Sequence, residues 1–291
     1  MSEAAQLRGR AEALAAPLPP LLAAAEHLAA TVLLGSHGRR RAGVGDEFWQ
    51  YRPAHGGDEA RFIDWRRSGR SDAHYVRERE WQAAQSIVIW VDRSQSMRFA
   101  STGRLPAKAD RAAMLAMALS VLLIRGGERV GLSGTGLPPR SGEVQLMRLA
   151  ATLSEAGEGD DYGAPEVRGM LPQSRALYVS DFLGDPAPVE AALTRAADRG
   201  VKGALLQVLD PQEEAFPFDG RTIFESIGGT IRHETLKAGD LRNRYIERLK
   251  ERKARLSMLA RTTGWQFHTH HTDDAPSSAL LWLYGAMERV H

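Results

Sequence analysis

The chain reads as an α/β protein with a doubly wound, mostly parallel sheet, and three observations predict this. Ile87–Val91, Arg175–Val179 and Ala204–Leu209 are apolar runs rich in branched residues, the pattern of strands buried on both faces. Segments of helical period separate them, which is the mark of parallel strands joined by crossovers. The first two runs each end near a carboxylate, Asp92 and Asp181, at the strand end where open α/β sheets build their sites.

Composition narrows the classes. The 291 residues suffice for one large domain or two small ones, with 43% hydrophobic and 25% charged residues. The net charge is only +2, so no global field draws the chain to nucleic acid, although 33 arginines stand against 5 lysines. With no cysteine there is no disulfide, thiolate metal site or cysteine nucleophile. No run reaches the ~18 apolar residues of a membrane span. The nearest, Pro20–Gly35, is interrupted by Glu26 and His27. The beginning of the chain, with Glu3, lacks the basic start and apolar core of a signal peptide, so a cytoplasmic location is expected.

Taken in order, residues 1–35 predict two helices divided by Pro17, Pro19 and Pro20. In the second, over 21–34, Leu21, Leu22, Ala25, Leu28, Ala29, Val32 and Leu33 share one face. His37–Arg41 is a short basic run, read as a solvated loop because no aromatics interleave it. Residues 36–82 form a β-rich arm with strand-like pieces at 47–53, 61–66 and 74–81. Its dense charges, with Asp64 beside a buried-looking Trp65, suggest fixed arginine–carboxylate pairs. The main domain, 83–291, begins with the Ile87–Val91 strand.

Lys108–Arg125 carries Ala112, Leu115, Ala116, Leu119, Leu122 and Leu123 on one side and stops at Gly126-Gly127, a helix with its terminator. There follow a strand at 129–132, a loop at 133–142, a helix at 144–156 and the strand at 175–179. Beyond these come a helix at 189–199, the strand at 204–209 and an irregular excursion over 212–239 with strand pieces at 222–225 and 230–233. A long charged helix at 241–261, a last strand at 265–270 and a closing helix at 277–287 complete the chain.

The densest chemistry follows Ile87–Val91. Asp92-Arg93-Ser94-Gln95-Ser96 places a carboxylate and two hydroxyls on one tight loop, a set of hard oxygens suited to one Mg²⁺ or Mn²⁺. The bland reading of the same residues is a cap on the next helix. Asp181, after the Arg175–Val179 strand, is the second carboxylate that favours a metal.

Asp92-x-Ser94-x-Ser96 resembles the first motif of the metal-ion-dependent adhesion site of von Willebrand factor A domains, and Asp181 resembles its later aspartate. A longer set of segments is more specific. It comprises Phe48-Trp49-Gln50-Tyr51-Arg52-Pro53, Gly57-Asp58-x-x-Arg61-x-Ile63-Asp64-Trp65, Val76-Arg77-Glu78-Arg79-Glu80, Val91-Asp92-Arg93-Ser94-x-Ser96-Met97, Gly127-Glu128-Arg129-Val130-Gly131 and Ser180-Asp181-Phe182-Leu183. Together these resemble the bacterial domain-of-unknown-function fifty-eight family, from about residue 35 to the end. The resemblance implies a von Willebrand A-like domain and a protein-interaction role, as an adaptor beside a MoxR-type AAA+ ATPase in chaperone-like or maturation work. It implies no catalytic activity. The adhesion site also uses a threonine. Residues 157–163 read Gly-Glu-Gly-Asp-Asp-Tyr-Gly instead, leaving Asp160 or Asp161 as the candidate substitute.

In that picture Asp92, Ser94 and Ser96 hold the cation and Asp181 holds a water beyond it. An open position would then accept a partner's Glu or Asp. A metal-independent scaffold of the same fold is the alternative. A metal-assisted hydrolase is a weaker one, because no Gly-x-Ser-x-Gly elbow or phosphate loop is present. His268, His270 and His271 invite a zinc reading without an evident third ligand, so local hydrogen bonding is expected of them. The arginines of 242–261 alternate with Glu247 and Glu251 at helix-pair spacing, which argues against nucleic acid.

Overall fold

In the computed structural model, residues 19–35, 48–54, 63, 65–69, 75–79, 84–155, 157, 160–166, 170–225, 229 and 232–288 are described. They fall in two compact units, 1–35 with 85–291, and 36–84. The helix expected before Pro17, the His37–Arg41 run and the Asp64 side chain lie outside the described residues.

The larger unit is the expected doubly wound α/β arrangement. Its sheet has five parallel strands, in the spatial order Arg129–Leu132, Ser86–Val91, Arg175–Ser180, Lys202–Leu209 and Gln266–His271. They are β3 (Ser86–Val91), β4 (Arg129–Leu132), β5 (Arg175–Ser180), β6 (Lys202–Leu209) and β9 (Gln266–His271). Alternate residues of these strands feed two apolar layers, as the two-residue period of a strand requires. Ile87, Ile89, Leu177, Val179, Leu206 and Val208 meet helices α1 (Pro20–Gly35), α2 (Lys108–Arg125), α3 (Glu143–Ser154) and α7 (Pro276–Glu288). Val88, Ala176, Tyr178 and Leu205 meet α4 (Pro186–Asp198) and α6 (Gly239–Thr262). On that second face the Tyr178 ring packs edge-on against Trp90 at 5.9 Å and tilted against Trp265 at 4.9 Å.

Helix α1 packs against α2, α3 and α7, burying Leu22, Ala25, Leu28, Ala29 and Val32. It therefore belongs to the core of this unit. Capping decides two departures from expectation. α4 begins three residues early, at Pro186, where Asp185 accepts from the Ala187 amide at 3.0 Å. A short helix within the supposedly irregular stretch, α5 (Pro211–Ala215), exists because Asp210 and Glu213 form a reciprocal capping box. The excursion also holds a hairpin of β7 (Thr222–Glu225) and β8 (Arg232–Thr235), the latter ending two residues later than predicted. α3 ends at Ser154, two residues short.

In the smaller unit, β1 (Phe48–Pro53) pairs antiparallel with β2 (Tyr75–Arg79), with a bulge between Phe48 and Gln50. The strand expected at 61–66 is corrected at its end. Trp65–Ser68 is a single helical turn, closed by the Gly69 amide donating to the Trp65 carbonyl at 3.0 Å. Trp65 is 59% exposed, against its expected burial. Ser68 Oγ accepts from the Tyr75 amide at 2.9 Å, which ties the turn to the start of β2.

Candidate functional site

The sequence left open whether the strands bearing Asp92 and Asp181 are neighbours. β3 and β5 pair side by side, in register from Ile87–Arg175 to Val91–Val179. The Asp92 amide continues that ladder by donating to the Val179 carbonyl at 2.8 Å. Both aspartates therefore leave the same edge of the sheet from adjacent central strands.

Asp92 is 2% exposed. Its Oδ1 accepts from the Ser94 amide at 2.9 Å and its Oδ2 from the Ser180 hydroxyl at 2.7 Å. The first bond is the local Asx pattern that makes an aspartate two residues ahead of a serine turn the chain. The second comes from the last residue of β5, and Ser180 was not singled out from sequence. Its side chain alternates with Val179 and Asp181, a placement visible only once β5 lies beside β3. Ser94 Oγ and Ser96 Oγ are 3.3 Å apart. The 3-10 turn Gln95–Arg98 that carries Ser96 is anchored by fully buried Met97.

The stretch searched for a threonine lies across this loop. The Asp160 carbonyl accepts from the Gln95 amide at 3.2 Å and the Asp161 carbonyl from the Ser96 amide at 2.9 Å. These two bonds are made to backbone oxygen. Gly163 is packed so closely on Asp92 that a Cβ there would overlap Oδ1. Arg93 donates to the Thr152 carbonyl of α3 at 2.8 Å, and Arg98 to the Gly157 carbonyl, which fastens the Ser94–Ser96 loop to α3 and to the stretch after it. A cleft of about 530 Å³ opens here, lined by Asp92, Ser94, Thr135, Asp160 and Tyr162.

Asp181 is engaged elsewhere. Its Oδ2 lies 2.8 Å from Lys108 Nζ, and the same ammonium lies 2.5 Å from Glu213 Oε1. Its Oδ1 accepts from the Leu183 amide at 3.0 Å, and its carbonyl accepts from Gln207 Nε2 at 2.9 Å. Phe182, between these anchors, takes a positive φ of 50° and is buried. Burial by itself would lower the Lys108 pKa, but the charges of Asp181 and Glu213 and their hydrogen bonds outweigh it and raise it above the ordinary lysine value. Lys108, read from sequence only as the start of a helix, is thus a charged member of the site's surroundings.

The donor set suits a hard cation in part. Asp92, Ser94 and Ser96 present one carboxylate and two neighbouring hydroxyls, the first two of these residues lining the cleft, and these are the residues that would hold Mg²⁺ or Mn²⁺. Among the described residues no group of three or more His, Asp or Glu side chains could hold a metal, so such a site depends on the hydroxyls. The histidines of β9 diverge. His268 stacks on Trp282 at 4.8 Å, His270 Nε2 accepts from Arg111 at 3.2 Å, and His271 pairs with Glu214.

The family described as Protein of unknown function DUF58 matches residues 50–255. An uncharacterized protein of Mycobacterium tuberculosis and one of Mycobacterium bovis are each 27% identical over 263 residues, covering 83% of this chain and 80% of theirs. An aerotolerance-related membrane protein from Bacteroides fragilis is similar over 70% of this chain and 98% of its own, with TM-score 0.43 and 17% identity. The conserved hypothetical protein BatB from Bacteroides thetaiotaomicron has TM-score 0.42 and 14% identity over the same shares. Among the described residues, no helix is long and apolar enough to cross a membrane.

Proposed function

We propose, from the premise that this chain belongs to the DUF58 family of proteins of unknown function, that it is a protein-interaction module whose contact face is the Asp92–Ser94–Ser96 loop. In this reading a divalent cation, Mg²⁺ or Mn²⁺, sits on that loop and the partner supplies a carboxylate to it. One observation carries the reading. Ser94 Oγ and Ser96 Oγ stand 3.3 Å apart, next to the buried carboxylate of Asp92, which with Ser94 lines a cleft. Two hydroxyls add no charge and Asp92 adds one, so a divalent ion there would keep excess positive charge and an appetite for an acidic side chain.

The partner we propose is a MoxR-type AAA+ ATPase, met in the cytoplasm, with adaptor work in maturation as the outcome. That finer identity rests on the resemblance of the sequence. Hydrolysis is disfavoured because both oxygens of Asp92 already accept hydrogen bonds, from Ser94 N and Ser180 Oγ, which weakens it as a nucleophile. A second reading, a scaffold that binds its partner without metal, is favoured by the ammonium of Lys108 already standing at Asp181.

Calorimetric titration of the protein and of Asp92→Ala with Mg²⁺ and Mn²⁺ tests the choice. Binding by the wild type that the substitution abolishes supports the cation site. A pull-down of the ATPase with and without chelator then tests the clasp. No heat in either chain, with chelator-insensitive capture, supports the scaffold.

A further inference from the structure

We propose that Lys108 keeps Asp181 for itself and so sets the charge of the cation site, leaving Asp92 as the one carboxylate that a divalent ion meets there. The inference rests on the cation reading above and assigns a positioning residue that this reading does not contain.

The geometry is specific. The Lys108 side chain starts at the first residue of α2 and is 1% exposed, as is that of Asp181. Its ammonium bridges two elements, the end of β5 through Asp181 and the short helix α5 through Glu213. Asp181 in turn is held at Oδ1 by the Leu183 amide and at its carbonyl by Gln207. Glu213 is held by its own capping box, with Oε2 accepting from the Asp210 amide at 2.9 Å. Both carboxylates are therefore pinned by a bond besides the ion pair, and turning Asp181 toward the Ser94–Ser96 hydroxyls would leave the buried ammonium with Glu213 alone.

Charge follows from this arrangement. If Asp181 were free, an ion on the loop would face two aspartates from adjacent strands. With Lys108 in place the negative charge of Asp181 is answered by a fixed cation, which also repels a second cation nearby. The Asp92 site is then weak in isolation and gains most from the carboxylate that a partner brings. Lys108 thus separates a clasp that needs its partner from one that would hold metal permanently.

The experiment is Mn²⁺ titration, followed by electron paramagnetic resonance, of the full chain as wild type, Asp92→Asn, Asp181→Asn, Lys108→Arg and Lys108→Met. Circular dichroism confirms the fold of each. We expect Asp92→Asn to lose binding, Asp181→Asn to stay within about twofold of wild type, and Lys108→Arg to match it. Lys108→Met should bind about tenfold more tightly, a gain cancelled by adding Asp181→Asn. Asp181→Asn weakening Mn²⁺ as severely as Asp92→Asn overturns the inference even if Lys108→Met does not fold. Binding by Lys108→Met alone supports the inference while overturning metal dependence in the wild type. Absence of binding in every folded chain overturns both.

Discussion

Lys108 Nζ and Asp181 Oδ2 stand 2.8 Å apart with both side chains almost wholly shielded from water. The pair joins the start of a helix to the end of a central strand, directly beside the loop that carries Asp92. Removing one member of a buried pair leaves the other charged and desolvated, which costs about 3–5 kcal/mol. Lys108→Met is therefore expected to lower the urea unfolding free energy by that order. A loss under about 1 kcal/mol would mean that water reaches the pair.

Gly163 is the second point of sensitivity. A methyl group there would overlap Asp92 Oδ1, and the neighbouring backbone is tied to the Ser96 amide through the Asp161 carbonyl. Gly163→Ala should force the loop and the carboxylate apart and weaken Mn²⁺ binding about tenfold, with a loss of about 1–3 kcal/mol in stability. Unchanged Tm and unchanged affinity together would show that the loop yields without cost.

Asp210 joins two parts of the same edge. It is fully buried, Oδ1 caps α5 through the Gln212 amide at 2.9 Å, and Oδ2 accepts from the Ser101 amide at 2.8 Å. Asp210→Ala strands both amides and should cost about 2–3 kcal/mol, read by thermal unfolding. Hydrogen exchange should speed up at Ser101 and Gln212 together; acceleration at Gln212 alone would refute the link.

His270 gives the protein an acid-sensitive element. Burial first, then the neighbouring Arg111 guanidinium, hold its pKa down to about 4. The unfolded chain takes that proton near pH 6.5 and the folded chain does not. The contribution is thus complete above about 6.5 and is lost as pH falls toward 4. Between pH 7.5 and 5 the loss should reach about 2 kcal/mol. His270→Gln should flatten the stability curve in that window, and parallel curves for the two chains would assign the acid sensitivity to other groups.

Much of this molecule was legible in its sequence for a physical reason. Strands buried on both faces and helices with one apolar face write their periods directly into the chain, so Lys108–Arg125 and Arg129–Leu132 were bounded to the residue. Asp92, Ser94 and Ser96 were visible because one short loop carries all three. Local competition blurred other places. Asp185 and Asp210, acting as caps, start helices where the apolar pattern had not yet begun.

What the tertiary structure alone decided is every relation between distant segments. That β3 and β5 are neighbours, that Ser180 donates to Asp92, and that the Asp160 and Asp161 carbonyls meet the Ser96 loop depend on strand order, to which periodicity is blind. The role of Lys108 is the sharpest case. As a lysine opening a helix it predicts a solvated side chain. Only the fold brings Asp181, from 73 residues away, and Glu213, from 105, around its ammonium, because two carboxylates, one buried and one partly buried, are what make a fully buried cation tolerable.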